Sequence, residues 1–476
     1  MNASAEVAGL RDALRAVAEP GSLLEAGAET APFLIDHRRQ FEGRALAVAL
    51  PRSVAEISKL LAWCNVRRVG VVPQGGNTGY CGGATPDESG RQLVIGLQRL
   101  NRIRDINPAD FSMTVEAGCL LAAVQQAAAA SARFFPLELG SSGSCQIGGN
   151  LATNAGGLNV LRFGMARDLT LGIEAVLPDG RIFQRLRSLR KDNTGYDLRG
   201  LLIGSEGTLG IITAATLKLW PERRSTATAF AAVPGVAAAV ELLVRLRGVA
   251  AERVNSFELL PRAALELVLH HLEGTVDPLG APHEWYVLCE LSSFAPEPLE
   301  ALLEQALGNA SAAGVVLDAA FAPSERARAN LWRLRESVPE AQRRAGPSLK
   351  HDISVPVARL AQFVAQASAW VHEQVPEGTL IAYGHAGDGN LHFNISFLKG
   401  TASAEIAARE PAIRRWLHDL VAAHGGSFSA EHGIGRLKVG ELERYASPTE
   451  LAMMREIKHA LDPAGIMNPG KVLSAG

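Results

Sequence analysis

The sequence predicts an α+β chain cut near residue 222, with a short third segment at its end. Three observations carry this. Between Leu93 and Leu219, short β-branched and apolar runs are separated by Gly, Pro, Asn and Asp, the pattern of strands joined by tight turns. After Trp220-Pro221, strand-like runs alternate with helical stretches, as in an antiparallel sheet with helices on one face. From Glu431 the chain turns glycine-rich and ends in Asp462-Pro-Ala-Gly-Ile-Met-Asn-Pro-Gly-Lys471, a segment expected to fold back on the first part. The parts are therefore 1–222, 223–430 and 431–476.

Taken in order, helix Val7–Ala18 leads into strand Arg44–Leu50. Ser53-Val-Ala-Glu56 has the spacing of a capping box and starts a helix that runs to Trp63. Val69–Val72 is the next strand, and Pro73-Gln-Gly-Gly-Asn-Thr-Gly79 turns off it. Strands follow at Leu93–Leu97, Met113–Glu116, Ile173–Leu177 and Ile211–Leu217, with Pro178-Asp-Gly-Arg181 as a hairpin turn. The Ala-rich stretch Leu120–Ala132 fits a helix with one buried face. In the second part, strands Ala227–Val233, Glu284–Glu290 and Lys350–Val355 alternate with helices Val236–Arg247, Pro298–Ala313, Ala327–Arg344 and Ala358–Val375.

Composition narrows the function classes. A net charge of -2 over 476 residues gives no electrostatic reason to bind nucleic acid or an anionic membrane. The five cysteines are scattered, odd in number and form no C-x-x-C, so no disulfide framework is expected and a reducing cytoplasm is the default. Met1-Asn-Ala-Ser-Ala-Glu-Val7 lacks the basic start and apolar core of a signal peptide. The most apolar stretch, Ala227 to Val244, is broken by Pro234, Gly235 and Glu241, too weak for a membrane span.

Two glycine-rich segments after strands are built for close approach of backbone to a ligand. Pro73–Gly79 leaves a nest of N–H groups that can hold a pyrophosphate without a cation. Gly140 to Gly157 is longer than a turn requires, and Ser142, Asn150, Thr153 and Asn154 within it can satisfy a large polar cofactor. The chain has no G-x-G-x-x-G opening a βαβ unit and no G-x-x-x-x-G-K-[ST], so neither a Rossmann NAD site nor a P-loop is supported.

The chemistry sits near the end. Tyr383-Gly-His-Ala-Gly-Asp-Gly-Asn-Leu-His-Phe-Asn394 and Ser429-Ala-Glu-His-Gly-Ile-Gly435 place three histidines and a carboxylate on glycine-punctuated turns. Imidazole and carboxylate are the usual ligands of a catalytic divalent metal with one open position. On one continuous strand His385 and His392 would face opposite ways, because their separation is odd. A hairpin at Ala386–Asn390 lets them converge from adjacent strands, with Asn394 on the face of His392.

Together these residues resemble the vanillyl-alcohol-oxidase-like flavoproteins, through Pro73–Gly79 and Gly148-Gly-Asn-Leu-Ala-Thr-Asn-Ala-Gly-Gly157. Within that family, Gly384–His392 and Ala430–Gly435 resemble the FAD-linked D-2-hydroxyacid dehydrogenases, with Gly204–Gly210 and Asn468–Lys471 in agreement. The resemblance implies a two-part FAD domain and a substrate domain. It implies FAD contacts at Pro73, Gln74, Gly75, Gly76, Asn77, Thr78, Gly79, Ser142, Gly149, Asn150, Thr153, Asn154, Gly156, Gly157, Glu206, Gly207, Ile211 and Asn468. Asn77 stands where covalently flavinylated members carry histidine, which implies non-covalent FAD. It further implies metal ligands His385, His392 and Glu431 (Zn, or Mn), a catalytic, substrate-binding His432, and substrate contacts at Asn394, Arg335 and Lys350. The stretches Leu334–Gln342 and Lys350–Pro356 look closest to the D-2-hydroxyglutarate branch, except that Pro339 replaces an expected hydroxyl residue.

The resulting expectation is oxidation of a D-2-hydroxy acid to the 2-oxo acid, D-2-hydroxyglutarate first, with D-lactate or glycolate as alternatives. An electron-transfer flavoprotein, a quinone or a cytochrome would accept the electrons, and a homodimer is compatible. Two other readings stay open: a metal-dependent hydrolase, which leaves the glycine loops unexplained, and a flavin reductase of the enolpyruvyl-sugar type, which has no use for the C-terminal histidines.

Overall fold

The computed structural model describes residues 3–25 and 27–474. It divides into two compact units. One holds Met1–Gly157, Gly164–Glu222 and Glu431–Gly476; the other holds Leu158–Phe163 and Arg223–Ala430.

Among its described residues the first unit carries two larger sheets and a two-stranded pairing of Arg133–Phe134 with Trp220–Pro221. Leu23–Leu24, Ala45–Ala49, Gln92–Gly96 and Val71–Gln74 lie side by side in that order, the last three parallel. Leu46, Leu93 and Ile95 of these strands form a fully buried core with Ile57 and Leu61 of helix Val54–Arg67. Ser53 accepts from the Glu56 N–H at 3.2 Å. The expected capping box closes differently: the Glu56 carboxylate accepts from the Arg52 N–H and the Ser53 hydroxyl, not from the Ser53 N–H. The second sheet is antiparallel, ordered Ile103–Asn107, Ser112–Glu116, Ile211–Lys218, Thr170–Val176 and Ile182–Arg185. Its last hairpin turns at Gly180, whose φ of +88° is a conformation glycine adopts without strain. The C-terminal segment is part of this unit, since Val71 donates to the Ile466 carbonyl at 2.7 Å.

The second unit is built on an antiparallel sheet ordered Val254–Pro261, Trp285–Ser293, Ser225–Val233 and Asp318–Phe321. Helices cover both of its faces, where the sequence suggested one. Ala227, Ala229, Ala231 and Val233 pack with helices Val236–Ala250 and Leu299–Ala312. Phe230 and Ala232 pack with helices Arg262–His271 and Glu325–Glu336. Strand alternation sends these residues to opposite faces, and none of them is polar, so neither face is left to water. The long helix expected over Ala327–Arg344 is two helices, Glu325–Glu336 and Val338–Ala345, because Pro339 takes a first-turn position of the second, where its missing N–H breaks no helical bond. A smaller antiparallel sheet completes the unit, with Asn390–Phe397 pairing Gly378–Tyr383, Ser348–Leu349 and Asp352–Ser354. Five cysteines are free and buried, and no described helix is long and apolar enough to cross a membrane.

Candidate active site

In the first unit the glycine segments converge on one open cleft. Pro73, Gln74, Gly75, Gly76, Asn77, Thr78, Gly79, Gly149, Asn150, Thr153, Glu206, Gly207 and Ile211 all line it. A side chain at Gly79 or Gly149 would meet nothing within 4 Å, so at both positions the backbone faces open space. A side chain at Gly76 would lie 2.1 Å from the Ser144 carbonyl, which holds the two loops together. Gln146 also lines the cleft, and its buried Oε1 has no partner among the described residues. An amide oxygen left so costs about 1–3 kcal/mol, the mark of a place where a polar ligand completes the structure. Other polar groups are already engaged. Gln74 donates to the Phe33 and Ala84 carbonyls, and Asn77, at φ +52°, donates to the Ile35 carbonyl.

Five residues expected at this cofactor do not line the cleft. The Ser142 hydroxyl donates to the Leu139 carbonyl at 2.5 Å, closing its own turn. The Asn154 side chain accepts from the Arg167 N–H at 2.9 Å. Gly156 is buried, and a side chain at Gly157 would lie 2.0 Å from the Glu138 carbonyl. Asn468 donates to the Gly83 and Glu206 carbonyls. Within Gly140–Gly157 the part that lines the cleft is centred on a short helix, Ile147–Ala152, where the sequence suggested loop.

His432 lines the same cleft, its ring edge-on to Tyr80 with centroids 4.8 Å apart. The turn after it is held by Glu206, which accepts the N–H groups of Ile434 and Gly435, each at 2.7 Å. Burial pushes the Glu206 carboxyl above its usual range, and the two amides pull it back.

In the second unit, His385 leaves strand Gly378–Tyr383 at the start of the turn, and His392 sits on the returning strand beside Tyr383. Their ring centroids are 5.8 Å apart. Gly389 makes the turn, at φ +84° with Val355 so close that a side chain would lie 2.1 Å from its carbonyl. Beneath them lies Glu258, on strand Val254–Pro261 and 1% exposed. Glu258 contacts His385 Nδ1 at 2.7 Å and accepts from Arg335 Nε at 2.6 Å. Burial opposes its charge, but His385 and Arg335 outweigh burial and hold the carboxyl down to about 2. Arg335, buried, also stands over the Tyr383 ring at 4.9 Å, and Tyr383 packs on His392. Glu431 directly follows Ala430, the last residue of this unit. His385 and His392 offer two imidazole donors from one hairpin, and Glu431, which opens the C-terminal segment, is a carboxylate of the kind that completes such a set. This set could hold a metal ion.

The remaining substrate candidates divide. Asn394 is buried, donating to Gln342 Oε1 at 2.9 Å and accepting from the His351 N–H at 3.3 Å. Lys350 is exposed. Pro339 lies in the first turn of the helix that carries Gln342.

Glu258, Gln342, Gln146 and Tyr80 were missed by the sequence reading. For Glu258 a signal existed: a lone carboxylate inside Phe257-Glu-Leu-Leu-Pro261 belongs to a residue type almost never buried without a partner. The strand that carries it was not read as a strand, and so the signal was lost.

Comparison with known proteins identifies the family. Residues 45–184 match a family model described as an FAD binding domain, and residues 222–472 match the FAD linked oxidases, C-terminal domain. The chain is 38% identical to a D-2-hydroxyglutarate dehydrogenase of Xanthomonas citri pv. viticola, covering 97% of this chain and 94% of that protein. It is 37% identical to the mitochondrial D-2-hydroxyglutarate dehydrogenase of Arabidopsis thaliana, covering 92% of this chain and 77% of that one. A D-2-hydroxyglutarate–pyruvate transhydrogenase of Saccharomyces cerevisiae is 33% identical, over 94% and 90%. In fold, the chain is similar to p-cresol methylhydroxylase, with TM-score 0.78 at 16% identity over 99% and 97% of the two chains. The chain belongs to the FAD-linked oxidases, FAD-dependent oxidoreductases of the vanillyl-alcohol-oxidase-like fold, on the branch that carries the curated D-2-hydroxyglutarate dehydrogenases.

Proposed function

We propose that the chain oxidises a D-2-hydroxy acid, D-2-hydroxyglutarate foremost, to the 2-oxo acid, using non-covalent FAD and a divalent cation, Zn or Mn. One covalent fact carries the reading. Glu431 and His432 are consecutive, their Cα atoms held about 3.8 Å apart; His432 lines the cleft with the glycine loops, and Glu431 is the carboxylate of the proposed ligand set. On this reading an alcohol held by the cation is within reach of His432.

The cleft residues fit FAD: open backbone at Gly79 and Gly149 for the diphosphate, and the unpartnered Gln146 oxygen for a donor on the ligand. No histidine stands in the Pro73–Gly79 loop to bind flavin covalently. Bound FAD would supply the hydride acceptor. His385, His392 and Glu431 are the hard nitrogen and oxygen donors that Zn and Mn take, and such a cation would lower the pKa of an alcohol bound to it. Neutral His432 takes the hydroxyl proton, since imidazole titrates near working pH. Arg335, whose Nε–H goes to Glu258, is the proposed clamp for a substrate carboxylate, a role that the planar guanidinium fork suits. Lys350 and Asn394 complete the substrate contacts. Electrons then pass to an acceptor such as an electron-transfer flavoprotein or quinone, in a cytoplasmic or organellar matrix setting.

Anaerobic mixing of the yellow protein with D- and L-2-hydroxy acids tests this. D-2-hydroxyglutarate should bleach the oxidised flavin band, a chelator should abolish bleaching, and Zn or Mn should restore it. Bleaching indifferent to chelation would remove the cation, and a colourless protein that hydrolyses esters would favour the hydrolase reading.

A further inference from the structure

We infer that Glu258 is a positioning residue that selects the imidazole nitrogen His385 presents to a cation and, through the same carboxylate, orients Arg335. The inference rests on the cation reading above, and deepens it.

Main-chain bonds fix the contact. Leu259 donates to the Gly384 carbonyl at 2.8 Å and Gly384 donates back at 3.0 Å, while Gly387 donates to the Phe257 carbonyl at 3.1 Å. The neighbours of Glu258 on both sides are therefore stitched to the turn on both sides of His385. The buried Glu258 carboxylate, between Phe257 and Leu259, points at that turn. It accepts and does not donate, so the 2.7 Å contact requires the proton on Nδ1 of His385. The lone pair is then on Nε2, the nitrogen remaining for a cation. Carboxylate–histidine–metal arrangements of this kind set ligand basicity as well as ring orientation. The other oxygen takes Nε–H of Arg335 at 2.6 Å, so one side chain aligns a ligand for the cation and a clamp for the substrate.

Glu258→Gln separates this role from mere filling of space. Arginine can only donate, so the single glutamine oxygen goes to Arg335 and the NH2 group faces His385 Nδ1. That forces the proton to Nε2 and removes the ligand lone pair. With FAD-loaded, cation-stripped full-length protein, the Kd for Zn²⁺, measured by competition against a chromophoric chelator, should rise ten- to hundredfold at unchanged FAD content. Equal Zn²⁺ affinity in both proteins overturns the positioning role and leaves the cation reading standing. If wild type takes up no Zn²⁺ or Mn²⁺, both fall together. Where Glu258→Gln does not retain FAD, wild type itself answers: the His385 15N resonances, identified by their loss in His385→Ala, should report Nδ1–H. An Nε2–H tautomer there overturns the inference.

Discussion

Glu206 grips Gly435 through a 2.7 Å hydrogen bond, and its other oxygen takes the Ile434 N–H at the same distance. The contact joins residues 229 apart in sequence and anchors the turn that follows His432. A side chain at Gly433 would lie 2.8 Å from the same carboxylate, so the turn closes over Glu206 with no room between.

Glu206→Gln should therefore loosen the turn. One amide N–H would face the glutamine NH2 group, and a buried donor without a partner costs about 1–3 kcal/mol. The expected outcome is a lower Tm and flavin reduction by D-2-hydroxyglutarate slowed at least about tenfold, with FAD still bound. Reduction at the wild-type rate would mean that the anchored turn does not matter to His432.

His432→Ala should slow anaerobic flavin reduction by about 10²–10⁴, the range for losing a positioned base, while the flavin absorbance of the purified protein stays normal. Raising pH should recover part of the lost rate, because a more basic medium replaces the missing acceptor. A stopped-flow trace unchanged from wild type would take His432 out of the proton transfer.

Legibility differed with the kind of interaction. The strands at Ala45–Ala49 and Val71–Gln74, though not their pairing, and the hairpin bringing His385 near His392 follow from local pattern and turn chemistry. These depend on residues close in sequence. Glu258 lies 127 residues from His385 and 77 from Arg335, and no local period encodes that meeting. The same holds for Gln342, whose amide bonds Asn394 and Ser396 over 50 positions away. Ser142 and Asn154 are types that bind polar ligands, but they are also types that bond nearby backbone; here the Ser142 hydroxyl donates to the Leu139 carbonyl and the Asn154 oxygen accepts from the Arg167 N–H.

Pro339 is the position at which substrate preference should be adjustable. Proline suits the first turn of helix Val338–Ala345 but offers no hydrogen bond. Pro339→Ser should add a hydroxyl donor to the distal carboxylate, worth about 1.5 kcal/mol for a charged partner or roughly a tenfold lower KM. The effect should appear with D-2-hydroxyglutarate and not with D-lactate, which lacks that carboxylate, and kcat should hardly move. An equal change with both substrates would place residue 339 outside the pocket.

Lys471 gives the chain a pH dependence of unusual sign. It is 3% exposed, and burial pushes its ammonium down to about 8 from 10.5, against the attraction of Asp87. Below about 8 both folded and unfolded chains carry the proton, and the folded chain bears the burial cost in full. Between 8 and 10.5 the folded chain releases it first, so this group makes stability rise with pH. Above 10.5 its cost is gone. A downward displacement from 10.5 to about 8 corresponds to about 3 kcal/mol at pH 7. Lys471→Met fills similar volume without charge, so at pH 7 it should match or exceed wild type in Tm, by about 1–3 °C in a chain this long. The gap should shrink toward zero by pH 10. A variant less stable than wild type at pH 7 would mean that Lys471 makes contacts worth more than its desolvation.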